Sequence, residues 1–160
     1  MPVNCSQIDV RYDSREDRLL FDLVGDFGTF RYSVTARLAR SLVRELAKDV
    51  KYDDWRARGR EFSTPSPRQK NDHTKNTDQI ANTRTLLERI KIQRAGSCLF
   101  LVFSAGVDDS HQLKLSRANE ILLLEALFLT FVQAGWELNC WPNFLAEYAG
   151  DSGGRNKPVH

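Results

Sequence analysis

Residues 116–135 read SRANEILLLEALFLTFVQAG, and this stretch has the pattern of one long helix. Ser116 is a favoured N-cap residue, and Gly135 stands where helices commonly end on a left-handed glycine. Ten of the twelve residues from Ile121 to Val132 are apolar. A helix on one sheet needs a single apolar stripe, so we expect a second surface to cover this helix. The apolar run is shorter than the roughly 20 residues that span a bilayer, so we expect no membrane insertion.

The first 50 residues predict three strands followed by a helix. Apolar and polar residues alternate in QIDVRY (7–12) and FRYSV (30–34), with the more apolar RLLFDLV (18–24) between them. Asp22 falls on the face opposite Phe21 and Leu23, which predicts that this face is solvated. Thr35 is the expected cap of a helix that runs to about residue 48. Its buried stripe is predicted from spacing as Leu38, Leu42, Val43 and Leu46.

The second half of the chain repeats this order of elements. When the two halves are aligned, Val10 falls on Ile90 and Phe21 falls on Leu101. The strand CLFLVF (98–103) is apolar on both faces, which is typical of a central or covered strand. The sequence therefore predicts an α+β fold of two pseudo-symmetric βββα units whose antiparallel sheets pack against two main helices. The units are residues 1–50 and 87–149, the second closed by a short helix at 143–149, and together they form one domain.

A basic excursion, residues 51–86, is predicted to connect the two units. It holds eight Lys or Arg against five Asp or Glu, and residues 63–78 contain no apolar side chain. Such a stretch is expected to be flexible. The tail, residues 150–160, is likewise expected to be mobile.

The composition excludes several classes of protein. Hydrophobic residues make up 41% and charged residues 28% of the 160 residues, which is typical of a globular protein. The net charge is only +2, which is too small to indicate a polyanionic partner. The three cysteines are widely spaced, which favours free thiols and a cytoplasmic location. No recognisable motif predicts catalytic residues, a metal site or a cofactor, so we expect a protein that is not an enzyme.

Two functions remain, and each has its candidate residues. The preferred one is protein–protein interaction or assembly, with a protein partner or a homodimer formed through the apolar helix. The alternative is a single-stranded nucleic-acid-binding module built from sheet-plus-helix repeats, because cations line one face of the first helix and arginines surround a tryptophan in the excursion. The plain interpretation of both basic groups is a solvated helix face and a solvated connector. The candidate apolar interface is Leu122, Leu129 and Phe131. The candidate contacts to a partner or to nucleic acid are Arg37, Arg40, Arg44, Lys48, Trp55, Arg56, Arg58 and Arg60.

Overall fold

The computed structural model describes residues 2–48, 50–51, 53, 84–106 and 109–143, and every structural statement below concerns these residues. They form two sheets of four strands and two helices, so the α+β class is confirmed. The predictions for residues 63–78 and for the tail, residues 150–160, lie outside this part of the chain. Nearly all of the predicted closing helix, residues 144–149, lies outside it as well.

Both predicted three-stranded meanders are present, and each is followed by its helix. The first sheet has the order β2-β3-β4-β5, and the second sheet has the order β1-β8-β7-β6. The strands of the first sheet are β2 (Gln7–Asp13), β3 (Arg18–Gly25), β4 (Gly28–Val34) and β5 (Thr85–Leu86). The strands of the second sheet are β1 (Val3–Cys5), β6 (Arg89–Ala95), β7 (Cys98–Ala105) and β8 (Asp109–Leu115). The helices are α1 (Ala36–Ala47) and α2 (Arg117–Ala134), with Thr35 and Ser116 as their N-caps.

Two short strands exchange places between the halves, which the sequence did not predict. Strand β1 precedes the first meander but pairs in parallel with β8 of the second sheet, and β5 precedes the second meander but pairs in parallel with β4. The backbone N–H of Leu87 then donates to the carbonyl of Ser33 at 2.8 Å, and that of Glu88 to Ser104 at 3.1 Å. The predicted excursion therefore ends too late, because Thr85 and Leu86 already belong to the first sheet.

The alignment of the two halves also needs a correction in its first strand. Val10 faces Phe21 across one hairpin, and Ile92 faces Leu101 across the other. Because Phe21 and Leu101 occupy the same place in their sheets, Val10 corresponds to Ile92 and not to Ile90. The shorter turn between β6 and β7 accounts for the difference.

One hydrophobic core joins both sheets and both helices. Helix α1 contacts β3 of the first sheet and β6 of the second, while α2 contacts β2, β7, β8 and α1. Leu42, Val43 and Leu46 are buried as predicted, whereas Leu38 is only partly buried. A polar pair also lies inside this core, where the Tyr32 hydroxyl is 2.8 Å from His111 Nδ1.

The outward face of the first sheet is not solvated at Asp22, so that prediction is wrong. Asp22 is 6% exposed and Arg31 is 3% exposed. The Arg31 guanidinium donates to both carboxylate oxygens of Asp22 at 2.7 and 2.9 Å, and Arg11 adds a third bond at 3.1 Å. The hydrogen bond to Asp22 raises the pKa of Arg31. Asp22 and Arg31 face each other in register on β3 and β4, so the charge of each is neutralised by the other.

Asp17 ties the turn after β2 to the chain beyond α2. Its Oδ1 accepts hydrogen bonds from the Tyr12 hydroxyl at 2.7 Å and from the Trp136 indole N–H at 2.9 Å. These two bonds lower the pKa of Asp17 below its usual value. Since the charged carboxylate is the form that accepts both bonds, the link is strongest when Asp17 is ionised.

We expect the Asp17 link to weaken in acid. The folded-state pKa lies below the unfolded value, so its stabilisation is complete above about pH 4 and is lost as the pH falls through the folded-state pKa. Asp17→Asn should therefore flatten the acid limb of a stability–pH profile, measured by urea unfolding with tryptophan fluorescence. Asparagine tolerates the left-handed φ of 56° at this position, so backbone strain is not introduced. Asp26→Asn, on an exposed turn, is the control, and an equal flattening by both variants would contradict the assignment.

Candidate functional site

Helix α2 has one side in the core and one side in solvent. The backbone N–H of Gly135, at φ 74°, bonds to the carbonyls of Phe131 and Val132 and ends the helix as predicted. Ile121, Leu124 and Leu127 are among its buried side chains. On the other side Leu122 is 39% exposed, Leu129 56% and Val132 48%. Large apolar side chains therefore remain uncovered on the most apolar helix that the structure describes.

The exposed side chains of α2 follow the spacing of a coiled-coil seam. Starting at Ala118, the intervals alternate between four and three residues, which is the a/d pattern of a heptad. We call the five residues Ala118, Leu122, Glu125, Leu129 and Val132 the α2 seam. Ala118 is exposed and Glu125 is half-buried. The spacing places all five along one line of the helix surface, where a second helix can pack.

A groove adjoins the N-terminal half of the α2 seam. Its volume is about 280 Å³, and it lies between α2, β8 and the start of β2. Leu122 and Ala126 form one wall, while Leu113, Leu115 and Ile8 contribute apolar surface from the sheets. Because Leu122 belongs to both the groove and the seam, the two form one continuous surface, although polar residues such as Gln7, Lys114 and Asn119 also line the groove.

The interface predicted from the sequence is partly wrong. Leu122 and Leu129 are exposed, but Phe131 is completely buried. Its ring meets the Trp136 and Trp141 rings edge-on, with centroid distances of 5.1 and 5.5 Å. Phe131 is therefore a core residue, and Val132 takes its place on the exposed side.

The basic stripe on α1 is only partly available to a partner. Arg37 and Arg44 are exposed. The Arg40 guanidinium lies 5.8 Å from the centroid of the Trp136 ring, and Lys48 is paired with Glu45 at 2.9 Å. Two of the four predicted cations thus already have partners within the chain. The other candidates, Trp55, Arg56, Arg58 and Arg60, lie outside the described residues.

The thiols and acidic groups give no sign of chemistry in the described part of the chain. Cys5, Cys98 and Cys140 are all free. Burial raises the pKa of Cys5 to about 11 and also raises the pKa of Cys140, so both thiols are protonated at neutral pH. Within residues 2–48, 50–51, 53, 84–106 and 109–143, no three His, Cys, Asp or Glu side chains are grouped so as to hold a metal ion.

No helix in the described ranges is both long and apolar enough to cross a membrane. No protein-family model, curated protein or solved structure matches the chain.

Proposed function

We propose that this protein is a non-enzymatic interaction protein that assembles through the α2 seam. The observation that carries this proposal is the exposure of Leu122, Leu129 and Val132 on a helix whose opposite side is core. Singly exposed apolar residues are normal on a protein surface, but aligned ones mark interaction sites. A rigid helix held on both sheets also presents them with little loss of entropy on binding.

The partner surface is a helix, because the seam has the period of helix-on-helix packing. Residues at heptad a and d positions insert between side chains of a facing helix. From Ala118 to Val132 the seam is about 21 Å long, or roughly four helical turns. Loops and strands offer no matching repeat along that length.

A second copy of this chain is the simplest source of that helix. If two α2 helices pack antiparallel about a twofold axis, Leu122 of one protomer meets Leu129 of the partner subunit, and the reverse contact follows by symmetry. The two Glu125 side chains then lie near the axis, and each already has an interaction within its own chain. A stable interface buries roughly 800 Å² on each partner. Three aliphatic side chains fall short of that area, so the adjoining groove also belongs to the interface.

The proposal extends to the internal repeat of the chain and to its location. The two sheets share one order of strands, and each meander is followed by a capped helix, which supports two pseudo-symmetric units. The sheet-exchanging strands make each unit ββββα in place of the βββα that the sequence predicted. Three free cysteines support the cytoplasm as the compartment.

Changing Leu129 to Glu tests the seam. We expect the wild-type chain to run as a dimer and Leu129→Glu to run as a folded monomer, with the dissociation constant raised by at least about tenfold. Burying a charge against the partner without a counter-ion is the physical cause. Sedimentation velocity over a dilution series measures the dissociation constant, and circular dichroism reports the fold.

Two further variants serve as controls. Ser41→Glu adds the same charge at an exposed position on α1, outside the seam, and should leave the dimer intact. Leu127→Glu places the charge at a completely buried position and should unfold the chain. A wild-type chain that stays monomeric at high concentration would overturn the homodimer, and a Leu129→Glu variant that dimerises normally would remove the seam from the interface.

A further inference from the structure

The outward face of the second sheet differs from that of the first in its charge. On β7 the outward residues Phe100 and Val102 are half-buried, while the residues across from them on the neighbouring strands are polar. Lys114 lies directly across from Phe100, and Lys91 lies directly across from Val102. Arg89 begins the same outward row on β6. Each of the two apolar positions thus has a lysine across from it on one side and a glutamine on the other.

Among the residues that the structure describes on this face, no acidic side chain balances these cations. The outward positions of β6, β7 and β8 hold no Asp or Glu. Arg89, Lys91 and Lys114 are all exposed, and none of them forms an ion pair with another residue that the structure describes. On the first sheet, by contrast, the Asp22 carboxylate forms ion pairs with both Arg31 and Arg11.

The arrangement matches what a flexible polyanion with aromatic groups requires. Adjacent strands are about 4.8 Å apart, and Lys91 and Lys114 each lie one strand away from β7. Their long side chains can therefore reach a strand of nucleic acid that lies over β7. The Lys114 ammonium now lies 6.0 Å from the centroid of the Phe100 ring. That contact is weak at an exposed site, so the ammonium can move to a phosphate while a base takes its place on the ring.

We propose that this face binds single-stranded nucleic acid. A base stacks on Phe100, and the adjoining phosphates pair with Arg89, Lys91 and Lys114. Double-stranded nucleic acid is excluded, because its bases are already paired and stacked on one another and cannot stack on the Phe100 ring at the surface of the sheet. An acidic peptide or an anionic membrane would engage the cations without needing an aromatic ring. The site shares Lys114 with the groove beside the α2 seam but shares no residue with the seam itself. Leu129→Glu therefore tests the seam without changing a residue of this site.

Fluorescence anisotropy of the full chain with labelled 20-nucleotide oligo(dT) and oligo(U) tests this. Phe100→Leu keeps an apolar side chain for folding but removes the ring, and it should weaken binding between about 5-fold and 100-fold. Phe100→Tyr should restore most of the affinity. The double variant Lys91→Gln/Lys114→Gln should reduce the slope of log affinity against log salt by about 1.4, since each phosphate contact contributes about 0.7.

A matched pair on α1 is the control. Arg37→Gln/Arg44→Gln removes the same charge from exposed positions on a helix, so affinity should change far less than with the lysine pair. Leu129→Glu should leave affinity unchanged. Full affinity in Phe100→Leu, an equal loss from both charge pairs, or preference for a duplex of the same length would each overturn the proposal. So would the absence of binding at low salt.

Discussion

Replacing Asp22 with alanine should destabilise the protein by about 3–5 kcal/mol, the cost of leaving a buried charge without its partner. Arg31 would keep its charge, because a guanidinium is not deprotonated in a protein. With only 3% of Arg31 exposed, water cannot replace the two hydrogen bonds that the carboxylate accepts. The loss should appear as a lower midpoint in urea unfolding with little change in its slope.

Two further variants show whether the loss of stability comes from the unpaired buried charge or only from the lost contact. Asp22→Ala/Arg31→Met removes both charges and keeps apolar volume, so it should recover a large part of the stability. Lys48→Gln breaks an exposed pair on α1, whose side chains are 64% and 51% exposed, and should cost less than about 1 kcal/mol. If Asp22→Ala behaved like Lys48→Gln, the ion pair would be a surface pair and our description of this face would be wrong.

Phe131→Ala should cost about 3–5 kcal/mol, because it empties a completely enclosed position in the core. Leu129→Ala, two residues earlier on the same helix, removes a side chain that is 56% exposed and should cost less than about 1 kcal/mol in the monomer. The difference in unfolding free energy between the two variants shows which side of α2 packs in the core. Tryptophan fluorescence is a suitable probe, since Phe131 packs directly against Trp136 and Trp141.

The pair should be measured at two protein concentrations. At protein concentrations below the dissociation constant of the dimer, unfolding measures the stability of the monomer alone. Only Phe131→Ala should then lower that stability by a large amount. At high concentration Leu129→Ala should also lose stability, because the dimer contributes to it. Equal effects of the two variants in the dilute protein would contradict the assignment of Phe131 to the core.

The regular part of the fold could be predicted because it is encoded locally. Alternation predicts β2 and β4, and apolar spacing with a capping residue predicts α1 and α2. Strands β1 and β5 could not be found this way, since three and two residues are too few to show a period. The burial of Asp22 could not be predicted for a related reason. Alternation places Asp22 on the outward face but does not show that Arg31 lies beside it on the next strand.

The candidate sites were predictable only in part. An apolar run such as Ile121 to Val132 indicates that two surfaces must be covered, but it does not show which side the protein itself covers. Leu129 and Phe131 are equally apolar in sequence, and only the packing of the two tryptophans separates them. The outward apolar residues of β7 were visible in the sequence, whereas their cationic neighbours emerge only from the register of β6 and β8.

The exchanged strands set the order in which the chain can complete its fold as it is synthesised. Val3 pairs with His111, so β1 must wait until about a hundred further residues have left the ribosome before its partner exists. The first meander likewise lacks β5 until residues 85–86 have been synthesised, and until then the edge of β4 is open to pairing with other chains. Such long-range parallel pairings close slowly. The nascent chain therefore passes through a period in which neither half is finished, and during that period we expect its open strand edges to be exposed to aggregation.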